Sequence, residues 1–184
     1  KIKTITEGDF HGRQDIFWED DLQPMEVYKI PLEYLVYNRY NGRILSRTKS
    51  LERSIGDIDP ETQEGMEIIE KLLWNSKPDR NKKTLTSIKD HGQEKPGIIT
   101  RDGLIIDGNR RAMLLKKSGR YNYFKAVVLP VTIEENLLAV EELETTYQMG
   151  EDEKLGYNAT EKYLKTKELY FKLSNSYYDT NNVN

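Results

Sequence analysis

The sequence predicts an α/β (α+β) fold: a small mixed sheet with flanking helices, followed by a purely helical C-terminal part. Three observations carry this. Short runs rich in Ile and Val, Gly97-Ile-Ile-Thr100, Leu104-Ile-Ile106 and Ala126-Val-Val-Leu129, have the length and composition of buried strands. Asp-Gly turns, glycines and prolines separate these runs from helical stretches. From Thr132 onward only helical spacing remains. The expected division is an α/β domain over residues 1–131, with residues 1–24 as an N-terminal arm, and a helical extension over residues 132–184.

Composition limits the function classes. The 184 residues suffice for one sizeable core. No apolar run approaches membrane-spanning length and no signal-peptide pattern opens the chain, so no membrane partner is expected. The absence of cysteine excludes disulfides, thiol chemistry and cysteine-based zinc sites, and is compatible with a cytoplasmic location. His11 and His91 have no partner at metal-ligand spacing, so no zinc is expected. Net charge is −3, so any nucleic-acid contact must use a local patch. The first residue is Lys1 rather than Met, and the chain reads as a piece of something longer.

In chain order, residues 1–24 show little periodicity, and Phe17-Trp18 suggests an arm docked by its aromatics. Met25–Ile30 alternates as a half-buried strand does; Leu32–Val36 follows Pro31 as a helical turn or second short strand. Tyr37–Arg43 is a polar loop. Asp59-Pro60-Glu61 opens a helix that buries Met66, Ile69, Leu72 and Leu73. Residues 75–83 read as a basic, mobile loop, and Thr84–Gly92 as a short helix closed by glycine. Pro96 precedes the strand at Gly97, and Arg101-Asp102-Gly103 turns it back. Thr132-Ile-Glu-Glu135 is a capping box for a helix burying Leu137, Leu138, Val140 and Leu143, with Gly150 as its stop. Most of the acids over 134–144 should be solvated. Asn158–Glu161 is a second capping box, opening a helix with Tyr163, Tyr170 and Leu173 along one side.

The chemistry centres on Leu104–Leu115. A strand turns through Asp107-Gly108 into a helix, Asn109 is placed to cap it, and Arg110 and Arg111 fill its first turn. Backbone N–H groups, the helix dipole and two guanidinium groups bias this point toward an anion, phosphate above all. The same residues also read as a tight turn followed by a solvated arginine pair.

The order of pieces resembles the ParB/sulfiredoxin superfamily over about residues 28–173. The resemblance rests on Leu85-Thr-Ser-Ile-Lys-Asp-His-Gly92, on Pro96, on Asp107-Gly-Asn-Arg-Arg111 where the family has Gly-Glu-Arg-Arg, and on Asn38–Arg43. It implies a ParB N-terminal-like domain that binds a nucleoside triphosphate, CTP or ATP, with Mg²⁺. Gly108, Asn109, Arg110 and Arg111 would then wrap the phosphates, Arg43 would add a contact, and Gly92 and Lys95 would stand where the base is read. Glu144 would be the Mg²⁺ ligand. Sulfiredoxin activity is excluded because it needs a cysteine.

The function the resemblance implies is a nucleotide-binding domain of a DNA-associated protein of bacterial or mobile-element type. DNA would be met through local basic loops or a downstream domain, and a homodimer is compatible with this. The alternative is an NTP-dependent enzyme of the same fold: an NTPase, a kinase or a nuclease-type DNA-processing factor. A third reading is an interaction module that kept the fold without the ligand.

Overall fold

Five strands build one mixed sheet in the order β1-β2-β5-β3-β4. The computed structural model describes residues 10–19 and 21–152, the last five by backbone alone. β1 (Phe10–Trp18) and β2 (Asp21–Pro31) form an antiparallel hairpin, so residues 10–18 and 21–24 of the arm expected over 1–24 are strand instead. Trp18 is buried as an aromatic anchor, but Phe17 points the other way and is exposed. The alternation escapes a reading for apolar residues because two inward positions ahead of Ile16 and Trp18 are Gly12 and Gln14.

β3 (Gly97–Ile99) and β4 (Ile105–Asp107) pair antiparallel through the expected turn, where Gly103 takes φ +98°. β5 (Tyr123–Val128) lies parallel to β3 and antiparallel to β2. Leu32–Val36 resolves into a 3₁₀ turn at Leu32–Tyr34 and a single parallel bridge from Val36 to Leu104. That bridge lays the following loop beside the end of β4.

Among the described residues five helices flank the sheet. α1 (Leu45–Ile55) was not expected, though Leu45, Thr48 and Leu51 hold the helical spacing and turn inward. α2 (Gln63–Ser76) starts three residues later than Asp59-Pro60-Glu61 suggests: Asp59 caps a turn there, and Thr62 accepts the N–H of Gly65 as the helix cap. α3 (Pro78–His91) replaces most of the basic loop expected over 75–83. Pro78 suits a first helical position. The buried Asn81 side chain donates to the carbonyls of Leu73 and Trp74 at 3.1 and 2.8 Å, closing α2 without a long connection. α4 (Asn109–Ser118) ends at Gly119 as expected.

α5 (Leu137–Asp152) begins after, not at, the capping box: Thr132 and Glu135 bond reciprocally around a turn, and Asn136 accepts from Ala139. Its backbone continues past Gly150. The capping box at Asn158–Glu161 and the helix expected after it lie outside the described residues. Among the described residues no helix is long and apolar enough to cross a membrane.

The sheet separates two cores. On one face Ile30, Ile99, Ile105 and Phe124 pack against α2, α3 and α4. On the other, Ile16, Trp18, Ile98, Ile106 and Val127 meet Val140 and Leu143 of α5, which forms a layer of its own. Phe124, fully buried, fills the space left by two glycines. A Cβ at Gly97 would lie 2.3 Å from its ring, and one at Gly108 2.6 Å. Replacing Phe124 with Ala should therefore cost about 3–5 kcal/mol, read as a lower urea midpoint at unchanged slope.

Tyr37 gives the fold an alkaline limit. It is buried, and its hydroxyl donates to Glu70 at 3.2 Å. Burial, then the Glu70 charge, raises its pKa far above the ordinary phenol value. The unfolded chain releases this proton near pH ~10 while the folded chain holds it, so stability is full below that pH and falls above it. Each such group lowers stability by about 1.4 kcal/mol per pH unit in that range. Urea unfolding between about pH 9 and pH 11 should show the decline, and Tyr37→Phe should flatten it.

Candidate functional site

The N-terminus of α4 is built by Gly108. It takes φ +111°, a left-handed conformation that L side chains rarely adopt, and its carbonyl accepts the first helical bond from Ala112. Gly108 is the cap residue in place of Asn109, and no side chain caps this first turn.

Asn109 does something the sequence reading missed. It is buried, and its Oδ1 accepts the N–H of Asn38 at 3.1 Å while its Nδ2 donates to the carbonyl of Asn38 at 2.9 Å. One side-chain amide thus satisfies both backbone groups of a residue in the 38–43 loop. Asn38 also donates from Nδ2 to Glu144 Oε1 at 3.2 Å and accepts the Tyr40 N–H at 3.0 Å. Asn38, Asn109 and Glu144 are 8%, 3% and 3% exposed, so three segments far apart in sequence converge in a dry polar cluster. Glu141, one turn before Glu144, is buried as well; the exposed acids are Glu134, Glu135 and Glu142.

The two arginines diverge, because successive helical residues point about 100° apart. Arg110 donates to Thr84 Oγ1 of α3 at 3.0 Å. Arg111 pairs with Asp107 and donates to the carbonyls of Lys95 and Pro96 at 2.6 and 2.7 Å. It acts as a clamp holding the entry of β3 to the exit of β4. Arg43 is half-buried in the loop behind Asn38, and its N–H donates to Asn41 at 3.3 Å. Arg43, Arg110 and Glu144 all have further partners.

On the Arg111 side a cleft of about 600 Å³ opens, walled by Lys95, Pro96, Asp107, Arg111 and Tyr147 and by the β1–β2 hairpin. Burial, then the Asp107 charge, raises the Tyr147 pKa, so its hydroxyl is neutral and a donor. Lys95 is exposed at this rim. Gly92 is not: it is buried, with φ +77°, and caps α3 through its N–H to Ile88. Gln93, which sequence reasoning passed over, fastens this loop. Its amide donates to the carbonyls of Lys95 and Lys125 and accepts the Lys125 N–H, at 2.6 to 2.9 Å.

Among the described residues no three His, Cys, Asp or Glu side chains gather as a metal site. Comparison with family models, curated proteins and solved structures returned no match.

Asn109→Ala should orphan both backbone groups of Asn38, at about 1–3 kcal/mol each. Asn38→Ala keeps that backbone without its side chain and should lower the urea midpoint less. Equal losses in the two variants would mean that the Asn109 pairing carries no special weight.

Proposed function

We infer that this chain is a ParB-like nucleotide-binding domain. It would hold the phosphates of a nucleoside triphosphate at the N-terminus of α4, with Mg²⁺ beside Glu144. The observation that carries the reading is the start of α4, entered through the left-handed Gly108, which has no side chain to cap it, with Arg110 in the first turn. The backbone N–H groups of a helix start, the positive end of the helix and a guanidinium favour a polyanion there. The Asn38–Asn109–Glu144 cluster supports it, since it ties the loop bearing Arg43 to the same helix start and adds a buried carboxylate. Mg²⁺, when bound, would neutralise phosphate charge; the chain's own part is to orient the phosphates by backbone N–H groups and to keep water from the buried side.

A second reading is a domain with this fold and no nucleotide. The engagement of Arg111 favours it: Asp107 and two carbonyls already use its donors. DNA association belongs to the first reading. Arg47 and Arg53 on α1 and Arg80, Lys82 and Lys83 on α3 are exposed cations that suit phosphate contact.

Titration with each of the four NTPs and Mg²⁺, followed by thermal shift and calorimetry, separates the readings. At least one NTP should bind, and Arg110→Ala should weaken it by about 1.5–3 kcal/mol. Failure of every NTP to bind leaves the second reading. Glu144→Gln should remove the Mg²⁺-dependent part of the affinity, and any turnover should go with it. Duplex DNA binding should fall steeply with salt; binding indifferent to salt would exclude contact through these loops.

A further inference from the structure

Another cavity lies against the later turns of α4, and the proposed function makes no use of it. It encloses about 450 Å³, a size usual for small-molecule sites. Three segments wall it. The 3₁₀ turn after β2 contributes Leu32 and Glu33, and α2 contributes Met66. α4 and its exit loop supply Ala112, Lys116, Tyr121 and Asn122. None of these residues borders the cleft beside Arg111.

Packing sets the shape of this pocket. Leu35, Tyr37 and Ala112 in its lining are buried members of the core under α2, α3 and α4. The Leu32 N–H donates to the Asn122 carbonyl at 2.9 Å, which ties two of the walls together. Glu70 Oε1 accepts the Tyr37 hydroxyl at 3.2 Å and the Lys116 ammonium at 2.6 Å, so both of these lining side chains are held in place. Leu32, Leu35, Met66 and Ala112 offer hydrocarbon. Tyr121 already meets Tyr123 edge to face with ring centroids 6.1 Å apart, an arrangement that a further ring can extend.

Charge selects among apolar ligands. Lys116 is neutralised by its pair with Glu70. Among the described residues the exposed Glu33 carboxylate has no ion pair or hydrogen bond, and the Tyr121 hydroxyl and Asn122 side chain have no hydrogen bond either. The lining together with Glu70 therefore holds two carboxylates against one ammonium. A monocation on an apolar body matches both the charge and the hydrocarbon. An ammonium group donates three hydrogen bonds, which carboxylate, hydroxyl and amide oxygens accept, and a tyrosine ring face attracts it as well. A carboxylate ligand would instead meet Glu33 as a like charge and compete with Glu70 for Lys116.

We propose that this pocket binds a small arylalkyl primary amine, with its ammonium held by Glu33 and its ring lodged against Met66 and Tyr121. The pocket is separate from the α4 N-terminus, so the site stands whether or not a nucleotide binds.

Titration of the full chain with phenethylamine at neutral pH, followed by ¹H–¹⁵N NMR, tests this. Saturable shifts should gather at the amides of Leu32, Ala112, Tyr121 and Asn122. Phenylpropionate, similar in size and opposite in charge, should bind about tenfold more weakly or worse. Glu33→Gln should weaken phenethylamine by about threefold or more and narrow its lead over phenylpropionate. Met66→Trp should fill the apolar part and abolish binding of both. Glu33 is exposed, and an unchanged amide spectrum away from the pocket checks that the Gln variant keeps its fold. Shifts that never saturate overturn the proposal, as does equal affinity for phenylpropionate. Saturable shifts gathered at other acidic residues, or an affinity that Glu33→Gln leaves unchanged, overturn it too.

Discussion

The reciprocal pairing of the Asn109 side chain with the backbone of Asn38 is the constraint on which the site depends. It joins residues 71 positions apart through two hydrogen bonds in a buried setting. A buried peptide group without partners is costly, so the loop at 38–43 has one low-energy place to sit. From that place Asn38 reaches Glu144, and the carboxylate draws α5 against the far side of the same cluster. Each segment alone would be an ordinary turn, helix start or helix face. Their convergence makes a buried polar cluster beside the start of α4.

The second constraint is steric. Phe124 of β5 occupies the volume beside Gly97 and Gly108, which are the entrance to β3 and the exit from β4. The ring brings these two chain ends close, and Arg111 bolts them together by pairing with Asp107 and holding two carbonyls ahead of β3. Packing and charge thus act on the same corner. Of the two arginines the sequence offers for an anion, Arg111 is here a structural clamp, while Arg110 points away to α3.

The two faces of the sheet have different roles. One core, under α2, α3 and α4, holds Phe124 and Tyr37 and supplies most of the stable interior. The other is covered by α5 and the curling hairpin, and it borders the cleft. α5 therefore connects the Glu144 cluster, the cleft wall at Tyr147 and the inner side of β1. Whatever shifts α5 would be felt at all three.

Local chemistry was legible in the sequence alone. The strands at 97–99, 105–107 and 123–128, the Asp-Gly turn, the glycine stops at 92 and 119 and the helix after Gly108 all follow from residue periodicity and from what glycine and proline permit. Glu144 and the 38–43 loop were singled out by resemblance, and Asn38 of that loop bonds both Asn109 and Glu144. Tertiary structure decided the rest. The hairpin at 10–31 was hidden because Gly12 and Gln14 occupy inward positions. α3 extends back to Pro78 because the buried Asn81 caps the preceding helix, a service no local pattern announces. Asn109 gave up its expected cap because Asn38, unreachable by any local rule, offered two backbone partners. The directions of Arg110 and Arg111 were likewise set by Thr84 and Asp107, the groups that lay within reach once the chain had folded.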